Sequence, residues 1–410
     1  MLKKCTFILL LFVVPIVSNK AQVITSDSLV RCFLTQSGIP ITDDNTVILL
    51  KNGQEKFDDL FSVIKKAQHH IHLEYFNLRN DSIGTELFNL LAFKAEQGLE
   101  VRVLFDAFGN LSNNRSLKNK HLKALRERGI EIVRFDPVNF PYINHAFHRD
   151  HRKIAIIDGK IGYTGGMNVA DYYIQGLPEI GDWHDAHIRI EGSAVKYMQE
   201  FFLSFWNKNT KQNIGGEPYF PPPKEQRAGK KVAIIDRTPK VTPKLIRHTY
   251  IRSIRSAQKS VQIVNPYFLP TRSIKKELYE AINRGINVEI LLSSESDISF
   301  TPEASFYAVH KLMKRGAQIY LYNGGFHHSK IMMVDNAFST VGSANLNSRS
   351  LCYDYENNAY IFDKETTNEL VNMFETDKMQ STLLTPEIWK KRSKWKRFVG
   401  WFARFLTPVL

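Results

Sequence analysis

Cysteine is scarce, with three in 410 residues. Cys5 lies in an N-terminal segment with the form of a targeting signal. Cys32 and Cys352 could pair, but two distant thiols give no disulfide framework. No Cys/His cluster has zinc-site spacing. Long apolar runs are scarce too. The one candidate, Phe7 to Val17, is short for a spanning helix. It follows Lys3 and Lys4 and leads into Ser18-Asn19-Lys20-Ala21. That is the form of a secretory signal peptide cut after Ala21, with an uncleaved membrane anchor as the alternative. Cys5 precedes the apolar run, too early for a lipoprotein cysteine. Acidic residues are the third shortage: 41 against 55 Lys and Arg, a formal net charge of +14. The excess favours an anionic partner, and charge alone does not choose between nucleic acid and anionic lipid. At this length, 43% hydrophobic residues suffice for two domains of ordinary size.

What the chain does have is one stretch twice. His151-Arg152-Lys153 leads through an apolar run to Asp158, then Gly165-Gly166-Met167-Asn168. His328-Ser329-Lys330 leads likewise to Asp335, then Gly342-Ser343-Ala344-Asn345. Both fit H-x-K, four residues, D, six residues, G-x-x-N. Each copy reads as a strand, a turn at Asp158-Gly159 or Asp335-Asn336, and a returning strand. Side chains alternate along a strand, so His and Lys face the same way. The loop returns Asn168 or Asn345 beside them. Lysine and carboxamide suit phosphate oxygens, and histidine can attack phosphorus or donate a proton. A lone H-x-K would read as a polar surface strand; two complete copies argue against chance.

Around the motifs, helices and strands alternate. Helices are expected over Phe57 to Ala67, Ile83 to Phe93 and Leu117 to Arg128, with strands over His70 to Phe76, Leu99 to Phe105 and Ile130 to Phe135. The order recurs with helices Leu245 to Ser256, Ile274 to Asn283 and Phe306 to Arg315, and strands Val261 to Val264, Val288 to Leu292 and Ile319 to Tyr322. Ala67-Gln68-His69-His70-Ile71 parallels Ala257-Gln258-Lys259-Ser260-Val261. The pattern predicts a duplicated α/β unit with a mixed, largely parallel sheet flanked by helices. The Pro/Gly-rich segment from Gly215 to Pro223 is the expected boundary. Glu74-Tyr75 and Asp106 stand at strand ends, where they are candidates to support a site.

The paired motifs resemble those of the phospholipase D superfamily. That resemblance implies two pseudo-symmetric halves, one active site at their interface, a covalent phosphohistidine, and neither cofactor nor metal. It makes His151, Lys153, Asp158, His328, Lys330 and Asp335 the catalytic set, with Asn168 and Asn345 binding substrate. Read from the residues, Asp158 and Asp335 brace the hairpins rather than touch substrate. In the superfamily a carboxylate downstream of each motif holds the histidine. The W-x-D pattern maps one to Asp185, expected on His151. Glu356 is expected on His328, with Asp354 as the alternative. The expected organisation is a signal or anchor over 1–21, a first phospholipase D-like domain over 22–214, a linker over 215–230, a second such domain over 231–389 and a basic tail over 390–410.

Further stretches are similar to bacterial cardiolipin synthases: His72 to Phe76, Val103 to Gly109, Asn144 to Asn168, Asp182 to His187, Gly342 to Ser350 and the closing Arg404 to Leu410. The resemblance implies transfer of a phosphatidyl group between two phosphatidylglycerols, giving cardiolipin and glycerol. The alternative is a phosphodiesterase of the same fold acting on phospholipid or nucleic acid. Such synthases usually begin with two transmembrane helices, whereas this chain has one short apolar segment. A bacterial cell-envelope location beyond the inner membrane follows if that segment is a signal. In the tail, Trp395, Phe398, Val399, Phe402, Phe405 and Leu406 share a helical face. Lys394, Lys396, Arg397 and Arg404 lie off it, as in a helix lying on anionic lipid.

Overall fold

The computed structural model describes residues 25–137, 147–222, 228–295 and 301–403. The N-terminal segment, Asn144 and the closing 404–410 lie outside the described residues.

Fifteen strands form one continuous sheet. From its middle outward, the first half runs Thr42–Leu50, His187–Glu191, Ile161–Gly165, Lys153–Ile157, His70–Tyr75, Glu100–Asp106 and Glu131–Phe135. The second half repeats that order with Lys230–Arg237, Glu356–Phe362, Phe338–Gly342, Ile331–Val334, Ser260–Val264, Asn287–Ser293 and Gln318–Tyr322. Ser381–Leu383 is added at its outer edge. The halves join through antiparallel pairing of Thr42–Leu50 with Lys230–Arg237.

Among the described residues of this sheet, parallel strand pairing is confined to the three strands 70–75, 100–106 and 131–135 and their counterparts 260–264, 287–293 and 318–322. The sheet is mixed and flanked by helices, as expected, but its pairing is largely antiparallel rather than largely parallel, which corrects that part of the expectation. Each motif hairpin doubles back through a short turn, and its second strand pairs antiparallel again with the strand that returns after a longer connection, His187–Glu191 or Glu356–Phe362. The hairpin turns are tight: Asp158 and Gly159 have φ of 55° and 63°, Asp335 and Asn336 55° and 53°. These are the positive values that a two-residue hairpin turn requires and that Asp, Asn and Gly tolerate.

Helices cover both faces. Ala194–Thr210 and Lys364–Met379 lie over one face, where Ile154, Ile156 and Phe202 join Ile331, Met333 and Phe374 in a core shared by both halves. Two separate cores fill the other face, one under Gly53–Lys65 and Ser82–Glu96, the other under Leu245–Ser256 and Arg272–Asn283. Helix Ser26–Gln36, assigned by sequence order to the first domain, packs Val30 and Leu34 into the second half's core. Burial of apolar faces, not chain proximity, decides where a short helix docks. The proline-rich stretch near 215–223 carries a short turn of helix, Glu217–Tyr219. Among the described residues no helix is long and apolar enough to cross a membrane.

Candidate active site

The site lies where the hairpin strands start, beside the carboxyl ends of the first parallel strands. Lys153 stands opposite Tyr75, and Ile331 opposite Val264. This is the sheet end where α/β proteins collect ligands. Strand alternation keeps each motif's His and Lys together. Lys153 Nζ donates to the His151 carbonyl at 2.6 Å, and Lys330 Nζ donates to that of His328. Phe76 packs edge-on against the His151 ring at 5.0 Å. Trp183 and Phe326 wall that of His328 at 5.6 and 5.7 Å. Trp183 comes from the first half and the ring it walls from the second, so both halves build one site.

The carboxylates hold the rings crosswise. His151 Nδ1 is 3.0 Å from Glu356 Oε1, and His328 Nδ1 is 2.7 Å from Asp185 Oδ2. The expected pairings, Asp185 with His151 and Glu356 with His328, are therefore corrected. Gly165 pairs with His187 and Gly342 with Asn358, so Asp185 and Glu356 are equivalent, each two residues before its paired position. Both stand at the sheet end where the halves meet, and each side chain crosses the boundary to the other half's ring. Asp354 does not serve His328 either. It accepts from the Arg149 backbone N–H and Arg349 Nε, both at 3.0 Å. Burial raises Asp354 to about 7.

Electrostatics follow from burial. Desolvation lowers His151 to about 4 and His328 to about 3, because the charged ring loses its water. It lowers Lys153 to about 8, although Glu356 and other nearby carboxylates favour its charge. Burial works against ionised Asp185, yet His328 and Lys330 hold it at about 2. Glu356 is likewise held below its ordinary value by His151, Lys153 and Ser343 against the cost of burial.

The two asparagines differ. Asn168 Oδ1 accepts from the Asn77 N–H at 3.1 Å and its Nδ2 lies 3.3 Å from the Tyr173 hydroxyl. Asn345 Oδ1 is buried without a hydrogen-bond partner among the described residues. The motif aspartates lie at the far end of the hairpins. Asp158 accepts backbone N–H groups of Gln68, His69 and His70 at 3.0, 2.8 and 3.1 Å. Asp335 does the same for Gln258, Lys259 and Ser260 at 2.9, 2.7 and 2.8 Å.

Several supporting residues were not singled out in the sequence. Arg152, buried between His151 and Lys153, binds Asp236 at 2.6 and 2.8 Å and Glu74 at 3.0 Å. It thereby ties the first motif to the second half's central strand. Arg149 is buried on Asp106, which also accepts the Asp150 N–H. Glu74 and Asp106 thus brace the segment leading into His151. Ser343 Oγ donates to Glu356, and buried Lys56 donates to the Asn168 carbonyl at 2.9 Å. The usable signal was an arginine inside an apolar hairpin: a buried cation needs carboxylates, and unassigned ones stood at strand ends.

The sequence profile described as "Cardiolipin synthase, PLD-like domain" matches residues 60–206 and 250–378. The chain is 34% identical over 384 residues to cardiolipin synthase of Listeria monocytogenes, covering 93% of this chain and 79% of that protein. It is 35% identical over 393 residues to cardiolipin synthase of Oceanobacillus iheyensis, covering 96% and 81%. Among solved structures, phosphatidylserine synthase of Haemophilus influenzae superposes with a TM-score of 0.69 at 15% identity, over 93% of this chain and all of that one. At that identity the likeness speaks for the fold alone. With two profile matches and relatives along nearly its whole length, the chain belongs to the cardiolipin synthase family of the phospholipase D superfamily and is a phosphatidyltransferase.

Proposed function

We propose that the enzyme converts two phosphatidylglycerols into cardiolipin and glycerol through a phosphatidyl-histidine. The observation that carries this reading is the pair of carboxylate-held imidazoles, one from each half. An ionised carboxylate only accepts, so each Nδ1 carries the proton and each Nε2 keeps a lone pair. His151 Nε2 attacks the phosphorus of one phosphatidylglycerol. The bond from phosphorus to the glycerol oxygen breaks, and His328 gives that oxygen its proton. Lys153, Lys330, Asn168 and Asn345 hold the phosphoryl oxygens, and the negative phosphodiester favours the imidazolium this step needs. A hydroxyl of the second phosphatidylglycerol then loses its proton to His328 and attacks phosphorus, releasing His151. The division of roles between the rings rests on the family resemblance, since the site is nearly symmetric. No step in this scheme calls on a metal ion or cofactor.

The substrate is a membrane lipid, and the tail supports action at an anionic membrane surface. Helix Lys394–Ala403 turns Gly400 and Ala403 to the protein and leaves Trp395, Phe398 and Phe402 exposed. Exposed Lys394 and Lys396 flank those rings, the composition of an interfacial helix.

The test is incubation with phosphatidylglycerol vesicles and mass spectrometry of the lipids. The expected result is cardiolipin with equimolar glycerol, lost in His151→Ala and in His328→Ala. Phosphatidic acid in place of cardiolipin would replace transfer by hydrolysis. Absence of lipid turnover, with cleavage of DNA, would replace both by a nuclease.

A further inference from the structure

Behind the His328–Asp185 pair lies a second cluster that the reaction does not use. His184 ends the two-residue strand Trp183–His184, His327 ends Phe326–His327, and the two strands pair in parallel across the halves. Asp377, from helix Lys364–Met379, reaches both rings. His327 Nε2 is 2.9 Å and His184 Nε2 3.2 Å from its carboxylate. One ligand atom from each residue lies within 4.8 Å of the other two.

We propose that His184, His327 and Asp377 form a binding site for a divalent transition-metal ion of the zinc type, clipping the two halves together beside the active site. The donor set is two imidazole nitrogens and one carboxylate oxygen, which suits such an ion. Ligands about 2.0–2.2 Å from a tetrahedral ion stand about 3.3 Å from one another. The two nitrogen–carboxylate separations, 2.9 and 3.2 Å, are close to that spacing and no pair of ligand atoms exceeds 4.8 Å, so side-chain shifts admit the ion. His327 is buried and its Nδ1 has no partner among the described residues, so the ring's orientation rests on what Nε2 meets. The His184 side chain is 21% exposed, which gives an ion a way in and solvent a coordination position. Tyr322 walls the site, with its ring centroid 6.0 Å from that of His184 and 5.3 Å from that of His327.

The site has a mechanical consequence. Neighbouring residues on a strand point to opposite faces. His184 adjoins Asp185 and His327 adjoins His328, so the ion would sit on the far side of the strands that lead into the His328–Asp185 pair. Two paired strands of two residues each hold little by themselves. A shared ion would fix their register, and with it the His328–Asp185 geometry, without entering the chemistry.

The experiment uses the full chain in detergent, stripped with EDTA and freed of chelator. Cobalt(II) is titrated in while visible absorption and thermal unfolding are followed. The expected result is one cobalt per chain, ligand-field bands that zinc abolishes by displacement, and a saturable rise in Tm. Asp377→Asn, and separately His184→Gln on the exposed side, should weaken binding about tenfold or more while keeping the wild-type circular dichroism. Folded wild-type protein showing neither bands nor a Tm shift would overturn the proposal. So would cobalt bands that persist unchanged in both variants. Either outcome would leave the three residues as a hydrogen-bonded clamp.

Discussion

His151 Nδ1 stands 3.0 Å from a carboxylate oxygen of Glu356, 205 positions further along the chain. The partner comes from the other half, so neither half alone carries a supported histidine. Glu356→Gln keeps shape but can offer Nδ1 an amide donor in place of an acceptor, which favours the wrong tautomer. We expect kcat for cardiolipin formation to fall by about 10²–10⁴, as when the carboxylate behind a catalytic imidazole is neutralised. KM should change little, because Glu356 touches the ring and not the lipid. Steady-state kinetics on phosphatidylglycerol in mixed micelles checks both. A variant within twofold of wild type would show that the crossed pairing has no part in turnover.

Buried imidazoles tie stability to pH. His70 and His151 are both lowered to about 4 by desolvation, whereas an unfolded histidine titrates near about 6.5. Between these values the unfolded chain binds protons that the folded chain refuses. Their contribution is therefore complete above about pH 6.5 and is lost as pH falls toward about 4. Each ring carries on the order of 3 kcal/mol over that window. Urea midpoints at pH 7.5, 6 and 5 should fall in that order, and His70→Gln should flatten the trend. Equal midpoints would contradict the assignment of these rings as neutral.

Arg152 tests how the halves are joined. It is buried among Asp236, Glu74 and Asp150. Arg152→Met removes the cation that balances these buried carboxylates. A loss of about 3–5 kcal/mol is expected, larger than for an exposed arginine. Chemical denaturation measures it. Arg128→Met, whose partner Glu96 is exposed, is the control and should cost under about 1 kcal/mol.

The aspartates of the repeated motif make a contrasting case. Asp158 accepts three backbone N–H groups at the turn end of its hairpin, away from His151. Asp158→Ala should therefore lower Tm and leave kcat, measured well below the new Tm, within a fewfold of wild type. A drop in kcat matching that of His151→Ala, with Tm unchanged, would place Asp158 in the chemistry.

This division of labour explains which features were legible in the sequence. The hairpins, their turns and the His-Lys-Asn sets were readable because alternation and turn chemistry are local. The Gln68-His69-His70 and Gln258-Lys259-Ser260 repeat was readable too, and its backbone donors are those that Asp158 and Asp335 bind. The Asp185 and Glu356 pairings were not, because chain order does not say which edges of two halves meet. The largely parallel sheet failed because each motif's first strand pairs antiparallel with its hairpin partner and also with the neighbouring strand His70–Tyr75 or Ser260–Val264, a neighbour that chain order does not give. Strands Thr42–Leu50 and Lys230–Arg237, which join the halves, carry no motif, and their pairing is decided across 190 residues of chain. Helix Ser26–Gln36 crossed to the second half because its apolar face found cover there.

The C-terminal helix offers the last test. An amphipathic helix docked on a globular protein ordinarily turns its aromatic face inward. Lys394–Ala403 does the reverse. A Cβ at Gly400 would meet the Glu303 carbonyl at 2.4 Å, so the close approach is made by the small-residue face. Trp395 is 71% and Phe398 51% exposed. Rings that are about half or more exposed add little to the fold, so Trp395→Ala with Phe398→Ala and Phe402→Ala should lower Tm by no more than a few degrees. On a bilayer the same rings lose contact with water, and each buried aromatic is worth about 1.5–3 kcal/mol. The triple variant should lose binding to phosphatidylglycerol-containing vesicles by at least about tenfold. Lys394→Gln with Lys396→Gln should weaken it by about 1 kcal/mol per charge, an effect that added salt erases. Vesicle co-sedimentation at low and high salt separates the two contributions, because the aromatic part is insensitive to ionic strength. If all variants bound like wild type, the exposed face would have no role at the membrane, and the attachment would have to lie elsewhere in the chain.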